Sequence, residues 1–259
     1  MENNYTTDNQ GIVSNDQPVE NQSLANCCPQ LIEGLLDNSQ DNKQLRVADR
    51  EEELAILFLD IRNFSSLMES RPAMEVIQVV RRLFTVFNGI VGKFKGKVVE
   101  TAGDSLYAVF GLQTSIRDAA AHAFQSAKLM FETLNMFNEA YAVPYYNNPL
   151  EIGIGMHAGN VVVGQFGLDE RERLTVMGLP VNIAARLQAA TKQYNNDMVI
   201  SEEAYSLLGT DESGHERRTV SLHGLSSTQN IRLVGKPYAK ALPPQTSGPE
   251  LDWLLAISG

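Results

Sequence analysis

Asp60 closes the apolar run Leu57-Phe58-Leu59. Asp104 sits between Glu100-Thr-Ala-Gly and Ser105-Leu-Tyr-Ala-Val-Phe110, so each carboxylate stands at the edge of an apolar strand. A single helical pattern separates the two stretches, and one small sheet can therefore bring both acids together. Mg²⁺ takes hard oxygen ligands, usually one or two carboxylates plus substrate phosphates, and two such ions can clamp an in-line displacement at phosphorus. A third stretch, Thr175-Val-Met-Gly-Leu-Pro-Val-Asn182-Ile-Ala-Ala-Arg186, sets an amide and a guanidinium one helical turn apart, on one face. The guanidinium can neutralise charge on a pentavalent phosphorus, and the amide can hold a sugar. After Asp60 the chain turns through Ile61-Arg62-Asn63-Phe64-Ser65 towards a helix, and backbone N–H groups at such a junction can cradle phosphate. Taken singly, these are an ordinary turn Asp, an N-cap Asp and a surface Arg. Together they read as a nucleotide-processing enzyme.

The remaining composition narrows the class. A chain of 259 residues holds one large domain or two small ones, and 43% hydrophobic residues build a core without staples. A net charge of −10 argues against a surface that grips nucleic-acid backbones or anionic lipid, since both need clustered Lys and Arg. Cys27 and Cys28 are the only cysteines, and adjacent residues make a poor disulfide. No apolar run reaches the roughly 18 residues of a membrane span, and Met1 is not followed by a basic–apolar–small leader. The expectation is a cytoplasmic chain with no membrane span and no nucleic-acid partner.

Three segments are expected. Residues 1–48 are polar and disordered except for a short apolar stripe at Leu31, Ile32, Leu35 and Leu36; residues 49–238 form the folded domain; residues 239–259 are a tail. Within the domain, Leu54–Leu59 is apolar throughout, as for a strand covered on both faces. Pro72 opens a long amphipathic helix that ends near Gly92, and Lys97–Thr101 and Ser105–Phe110 form a hairpin. A second long helix runs from Ile116 to about Tyr141. Leu150–His157 alternates and is expected to turn back at Ala-Gly159-Asn into Val161–Phe166. Arg173–Met177 is a strand, Pro180 starts a helix running to about Tyr194, Met198–Ser201 is a strand, and two strands follow near 219–222 and 230–234. The order predicts an α+β, ferredoxin-like palm sandwich, an antiparallel-rich sheet with helices on one face and a small C-terminal subdomain.

Over about residues 50–210 this pattern resembles the class III nucleotidyl cyclase catalytic domain. The resemblance is carried by Leu-Asp60-Ile-x-x-Phe64-Ser, Gly103-Asp104-Ser, His157-Ala-Gly159-x-Val-x-x-Gly164 and Val181-Asn182-x-Ala-x-Arg186-Leu. It implies a phosphorus–oxygen lyase that converts a nucleoside triphosphate into a 3′,5′-cyclic nucleotide and pyrophosphate. It also implies two Mg²⁺ or Mn²⁺ ions per site and a head-to-tail homodimer with its sites across the interface. Asp60, Ile61 and Asp104 of one subunit then form the metal set, and Asn182 and Arg186 of the other serve the transition state. Asn63, Phe64 and Ser65 lie along the substrate, Glu100 and Thr175 stand at the base-reading positions, and Arg171 is a candidate for the polyphosphate.

Adenylyl cyclases of the family carry Lys where this chain has Glu100. An ionised Glu only accepts hydrogen bonds, which suits the N1–H and N2–H₂ of guanine and leans the reading towards GTP. ATP stays open, because bacterial relatives with Thr at the second position lean to it. A pyrimidine nucleotide and a catalytically silent regulatory subunit are the alternatives. A diguanylate cyclase is disfavoured, since Ala102-Gly103-Asp104-Ser105-Leu106 lacks its Gly-Gly-(Asp/Glu)-Glu-Phe signature. No Lys for the triphosphate follows His223-Gly224, where the nearest cations are His223 and Arg232.

Overall fold

The computed structural model describes residues 49–146, 149–165, 174–209 and 214–238. The expectations for 1–48, for the stripe at Leu31–Leu36, for the tail and for Arg171 fall outside these residues. All described residues belong to one compact unit, Val47–Gly259.

The apolar run predicted as a central strand is the middle of β1 (Arg50–Ile61), paired with β3 (Ser105–Phe110) on one side and β4 (Ile152–Gln165) on the other. Its residues alternate between two faces. Ala55, Leu57, Leu59 and Ile61 enter the main core with α2 (Ala73–Lys93) and α3 (Ile116–Phe137); a short helix, α1 (Phe64–Ser70), precedes them. Helix α2 follows Pro72 and buries Val76, Val80, Leu83, Phe87 and Ile90 at helical spacing. Ser115 caps α3, its hydroxyl accepting from the Asp118 N–H at 3.2 Å.

The helix expected to reach Tyr141 changes to a π-turn at Asn138–Ala142, followed by α4 (Val143–Tyr146). The cause is local. The buried Asn138 amide donates to the Leu150 carbonyl and accepts from the Leu150 N–H, both at 2.8 Å, which pins the helix end to the entry of β4.

The expected turn at Ala-Gly159-Asn is corrected: β4 is one unbroken strand of 14 residues. The long β1 pairs with β4 along its whole length, with Leu54 opposite Gly159, so the ladder leaves no room for a reversal. Gly159 serves close approach instead, since a Cβ there would meet Pro180 Cγ at 2.8 Å.

The other face of β1 carries Leu54, Ile56 and Phe58, and it is covered by α5 (Leu179–Gln193), which follows β5 (Leu174–Met177). Helix α5 sits tightly because Gly155 has no side chain; a Cβ there would strike the Gln188 and Ala184 main chain. The α+β palm is the fold observed, but the expectation of helices on one face is corrected: among the described residues α2 and α3 share one face and α5 covers the second, where Leu54, Ile56 and Phe58 also need burial. β6 (Met198–Ser201) pairs with β4 in parallel, the one parallel step in the described sheet. The short helix α6 (Glu202–Leu207) follows, then β7 (Glu216–Ser221) and β8 (Thr228–Leu233). The strand order is β2-β3-β1-β4-β6-β8-β7, where β2 is Gly96–Ala102 and β5 pairs with β4 off this path. The C-terminal hairpin, expected as a small subdomain, joins the sheet through β8. It packs Val220, Leu222, Ile231 and Leu233 against Ile183 and Leu187 of α5. Among the described residues, no helix is long and apolar enough to cross a membrane.

His157 lies in β4, 5% exposed, with Nδ1 2.7 Å from the Ser201 hydroxyl, which also caps α6 by accepting from the Ala204 N–H. Burial lowers its pKa to about 4, and Glu203 opposes this only weakly from 3.9 Å. The unfolded chain then binds the extra proton more readily, so stability falls as pH drops from about 6.5 towards 4. The full loss is roughly 3 kcal/mol, from 1.4 kcal/mol per pH unit. Urea unfolding at pH 7 and pH 5 should show His157→Gln to be markedly less pH-sensitive than the wild type. Equal sensitivity would contradict this account.

Candidate active site

Asp60 stands opposite Ser105 in the β1–β3 ladder, and the Ile61 N–H donates to the Asp104 carbonyl at 3.1 Å, so both acids lie at adjoining strand ends. The Asp60 side chain is 17% exposed. Its Oδ2 accepts from the Ser105 hydroxyl at 2.8 Å. Its Oδ1 is buried without a hydrogen-bond partner, and the Lys192 ammonium lies 3.4 Å away. The carboxyl of Asp104 is pushed above the usual carboxylate range. Burial is the larger cause and the Asp60 charge the second, while a main-chain hydrogen bond and Lys192 pull the other way.

Two close carboxylates, one with an orphaned oxygen, are short of positive charge. A hard divalent cation fits this donor set, because every available ligand is an oxygen. The Ile61 side chain is buried in the core, which leaves only its main-chain oxygen to contribute. Among the described residues no three His, Cys, Asp or Glu side chains converge on one point, so a closed, zinc-type cage is not what this edge builds. Further ligands to an ion here would be phosphate or water oxygens.

Asn182 and Arg186 are both exposed on α5, whose opposite side buries Ile183, Ala184 and Leu187. Lys192, on the same helix, is rotated by roughly 120° from Arg186 and lies about 9 Å further along the axis. Asn182 is about 15 Å from Lys192 along that axis. One helix thus turns Lys192 towards its own chain's acids and Asn182 and Arg186 outwards.

Glu100 is exposed on β2, opposite Tyr107 and next to a register shift after Val98. Burial raises the Tyr107 hydroxyl pKa, and the Glu100 charge adds to the shift. Tyr107 stacks on Phe58 with ring centroids 4.5 Å apart. Thr175 is half-buried on β5, opposite Gly164. Val99 of β2, Leu174 of β5 and Val181 of α5 pack against one cluster, so Glu100 and Thr175 belong to neighbouring elements beside the start of α5.

Asn63 caps α1 in the left-handed region, φ 56°, and its carbonyl accepts from the Leu67 N–H at 3.0 Å. Ser65 is exposed, while Phe64 packs on the main core. Phe64 also lines a cleft of about 450 Å³ with Ile77, Phe84, Arg81, Asn88 and Gly103, which runs from α1 and α2 to the turn that carries Asp104. Arg171 lies outside the described residues. Arg232 is held by Glu202 in a fork, at 2.8 and 3.0 Å. Sequence reasoning missed Ser105 and Lys192. Ser105 was readable as the residue across the ladder from Asp60. Lys192 carried no signal, since its approach depends on how α5 crosses the sheet.

The fold and these groups define an α+β palm of the nucleotide cyclase class. The chain belongs to the family of adenylate and guanylate cyclase catalytic domains, whose sequence profile matches residues 47–234. An uncharacterised protein of Mycobacterium tuberculosis is 32% identical over 211 residues, covering 80% of this chain and 35% of that protein. The chain thus spans about a third of the length of the curated relatives it matches. The adenylyl cyclase CyaB from P. aeruginosa superposes with a TM-score of 0.64 at 25% identity, over 73% of this chain and 97% of that one. The guanylyl cyclase Cya2 gives a TM-score of 0.64 at 26% identity, over 74% and 96%.

Proposed function

We propose that residues 49–238 form a nucleotidyl cyclase domain that acts on a nucleoside triphosphate in the cytoplasm, as a homodimer. The observation that carries the reading is the pair Asp60 and Asp104 at adjoining strand ends, with the Asp60 Oδ1 buried and without a hydrogen-bond partner. In the reaction the ribose 3′-oxygen attacks the α-phosphorus and the 3′-hydroxyl proton is released. The bond from phosphorus to the bridging oxygen breaks, and pyrophosphate leaves. Two Mg²⁺ or Mn²⁺ ions, when bound, would make the 3′-oxygen a better nucleophile and offset charge on the phosphates. Asp60 and Asp104 hold them, with Ser105 fixing the Asp60 carboxylate so that Oδ1 faces the site. Asn63, Phe64 and Ser65 bound the phosphates, and Arg171 is a further candidate there.

Arg186 neutralises charge as phosphorus becomes pentavalent, and Asn182 holds the ribose. Both act on substrate at the site built by the partner's acids, a reading supported by their exposure and by their distance along α5 from Lys192. Relatives bearing either name, adenylyl or guanylyl cyclase, share this fold. Within it, Glu100 favours GTP because a carboxylate accepts from both guanine donors and meets adenine N1 with like polarity.

Incubating the full chain with each of the four nucleoside triphosphates and Mg²⁺ or Mn²⁺, and weighing the products, tests the function. No cyclic nucleotide from any of them would end the reading. Glu100→Lys should shift the kcat/KM ratio towards ATP by at least roughly tenfold, about 1.4 kcal/mol. An unchanged ratio would mean that Glu100 does not read the base.

A further inference from the structure

The first two amides after Asp60 are already used. The Ile61 N–H is taken by the Asp104 carbonyl and the Arg62 N–H by the Glu151 carbonyl, at 3.1 and 2.8 Å, so the sheet uses both. A triphosphate over this edge is left with the amides from Asn63 onward and with side-chain cations. Arg81 lines the cleft that reaches Gly103, and four other described cations are engaged elsewhere. Arg232 is forked onto Glu202, Arg217 also reaches Glu202, and Arg218 is bonded to Glu216. The Arg62 guanidinium lies over the Tyr238 ring, 4.2 Å from its centroid.

Lys192 differs from these. Its ammonium is 3.4 Å from Asp60 Oδ1, beyond hydrogen-bond length, and its side chain is 51% exposed. Charge alone holds it there, on a flexible four-carbon stem. The oxygen it faces is the one the proposed metal would take. A divalent ion on Oδ1 would repel an ammonium a few ångströms away, whereas a triphosphate arriving with that ion offers anionic oxygens within the stem's sweep.

We propose that Lys192 is the cation that grips the triphosphate, and that it changes partner, lying on Asp60 in the metal-free chain and on the phosphate oxygens in the loaded site. The inference rests on the cyclase reading above and assigns the polyphosphate contact that the sequence left open. It gives one side chain opposite effects on two ligands. As a competitor for Asp60 it weakens the binding of free metal. As a phosphate ligand it strengthens the binding of nucleotide.

The test uses the full chain and two binding measurements that need no turnover. Binding of Mn²⁺ alone is followed by its electron paramagnetic resonance signal. Binding of 3′-deoxy-GTP and 3′-deoxy-ATP, which lack the attacking oxygen, is followed by calorimetry with Mg²⁺ present. Lys192→Met should bind Mn²⁺ at least about threefold more tightly and the better analogue about tenfold more weakly. Lys192→Arg, which keeps the charge, should bind that analogue nearly as the wild type does. A structural role would move both ligands in the same direction. Unchanged or weaker Mn²⁺ binding, or unchanged analogue binding, in Lys192→Met overturns the proposal while leaving the cyclase reading intact. A wild type that binds neither Mn²⁺ nor either analogue overturns both.

Discussion

Asp104→Ala is expected to lower turnover by at least about a thousandfold, some 4 kcal/mol of transition-state stabilisation, with either Mg²⁺ or Mn²⁺. Removing one of two carboxylates leaves a metal site with a single anionic side chain, and no other described acid converges there. The same substitution should not cost stability. Burial and the neighbouring Asp60 raise the Asp104 pKa in the folded chain. A carboxyl with a raised folded pKa contributes its stability below the unfolded value and loses it as pH climbs through the folded one. At neutral pH the ionised Asp104 is therefore a destabilising charge in the metal-free protein. Thermal unfolding at pH 7 without metal should give a Tm for Asp104→Ala at or above that of the wild type. The pairing of lost activity with undiminished stability is the signature of a functional carboxylate. Full activity of the variant would sink the metal assignment.

Mixing two inactive variants, Asp104→Ala and Arg186→Ala, should restore turnover to about a quarter of the wild-type level at equal amounts. Half of randomly paired dimers are mixed, and each mixed dimer holds one site with neither substitution and one with both. The expectation follows from the proposal that Asn182 and Arg186, exposed on α5, serve the partner's site. Were the four groups to act within one protomer, every site in the mixture would carry a defect and no activity would return. The measurement is the turnover of the mixture after subunit exchange, with mixed dimers verified by mass. No recovery in verified mixed dimers would refute the shared site.

Much of this was legible in the sequence because local rules and tertiary packing agreed. The apolar run around Leu57, the Pro72 start of α2 and the hairpin ending in Asp104 each satisfied propensity, periodicity and burial together. The register that sets Asp60 against Ser105 followed from those elements. What sequence missed depends on contacts between distant segments. Gly159 carries a turn signal that the long ladder with β1 overrides, and its use is the close passage of Pro180. The π-turn at Asn138 arises from one amide bonding to the Leu150 main chain, twelve residues on and just before β4. Lys192 looks like any solvated lysine until α5 crosses the sheet and brings it over Asp60.

The unbroken β4 also dictates an order of assembly. Arg50 pairs with Val163 and Ile61 with Ile152, so the central ladder joins segments roughly a hundred residues apart at each end. During synthesis, β1, α2, the hairpin and α3 all emerge before β4 exists, with one edge of β1 bare. Contacts this remote in sequence make for slow closure. The nascent chain can close this central ladder only after Val163 has left the ribosome, and until then the edge of β1 that will face β4 is the surface a chaperone would have to guard.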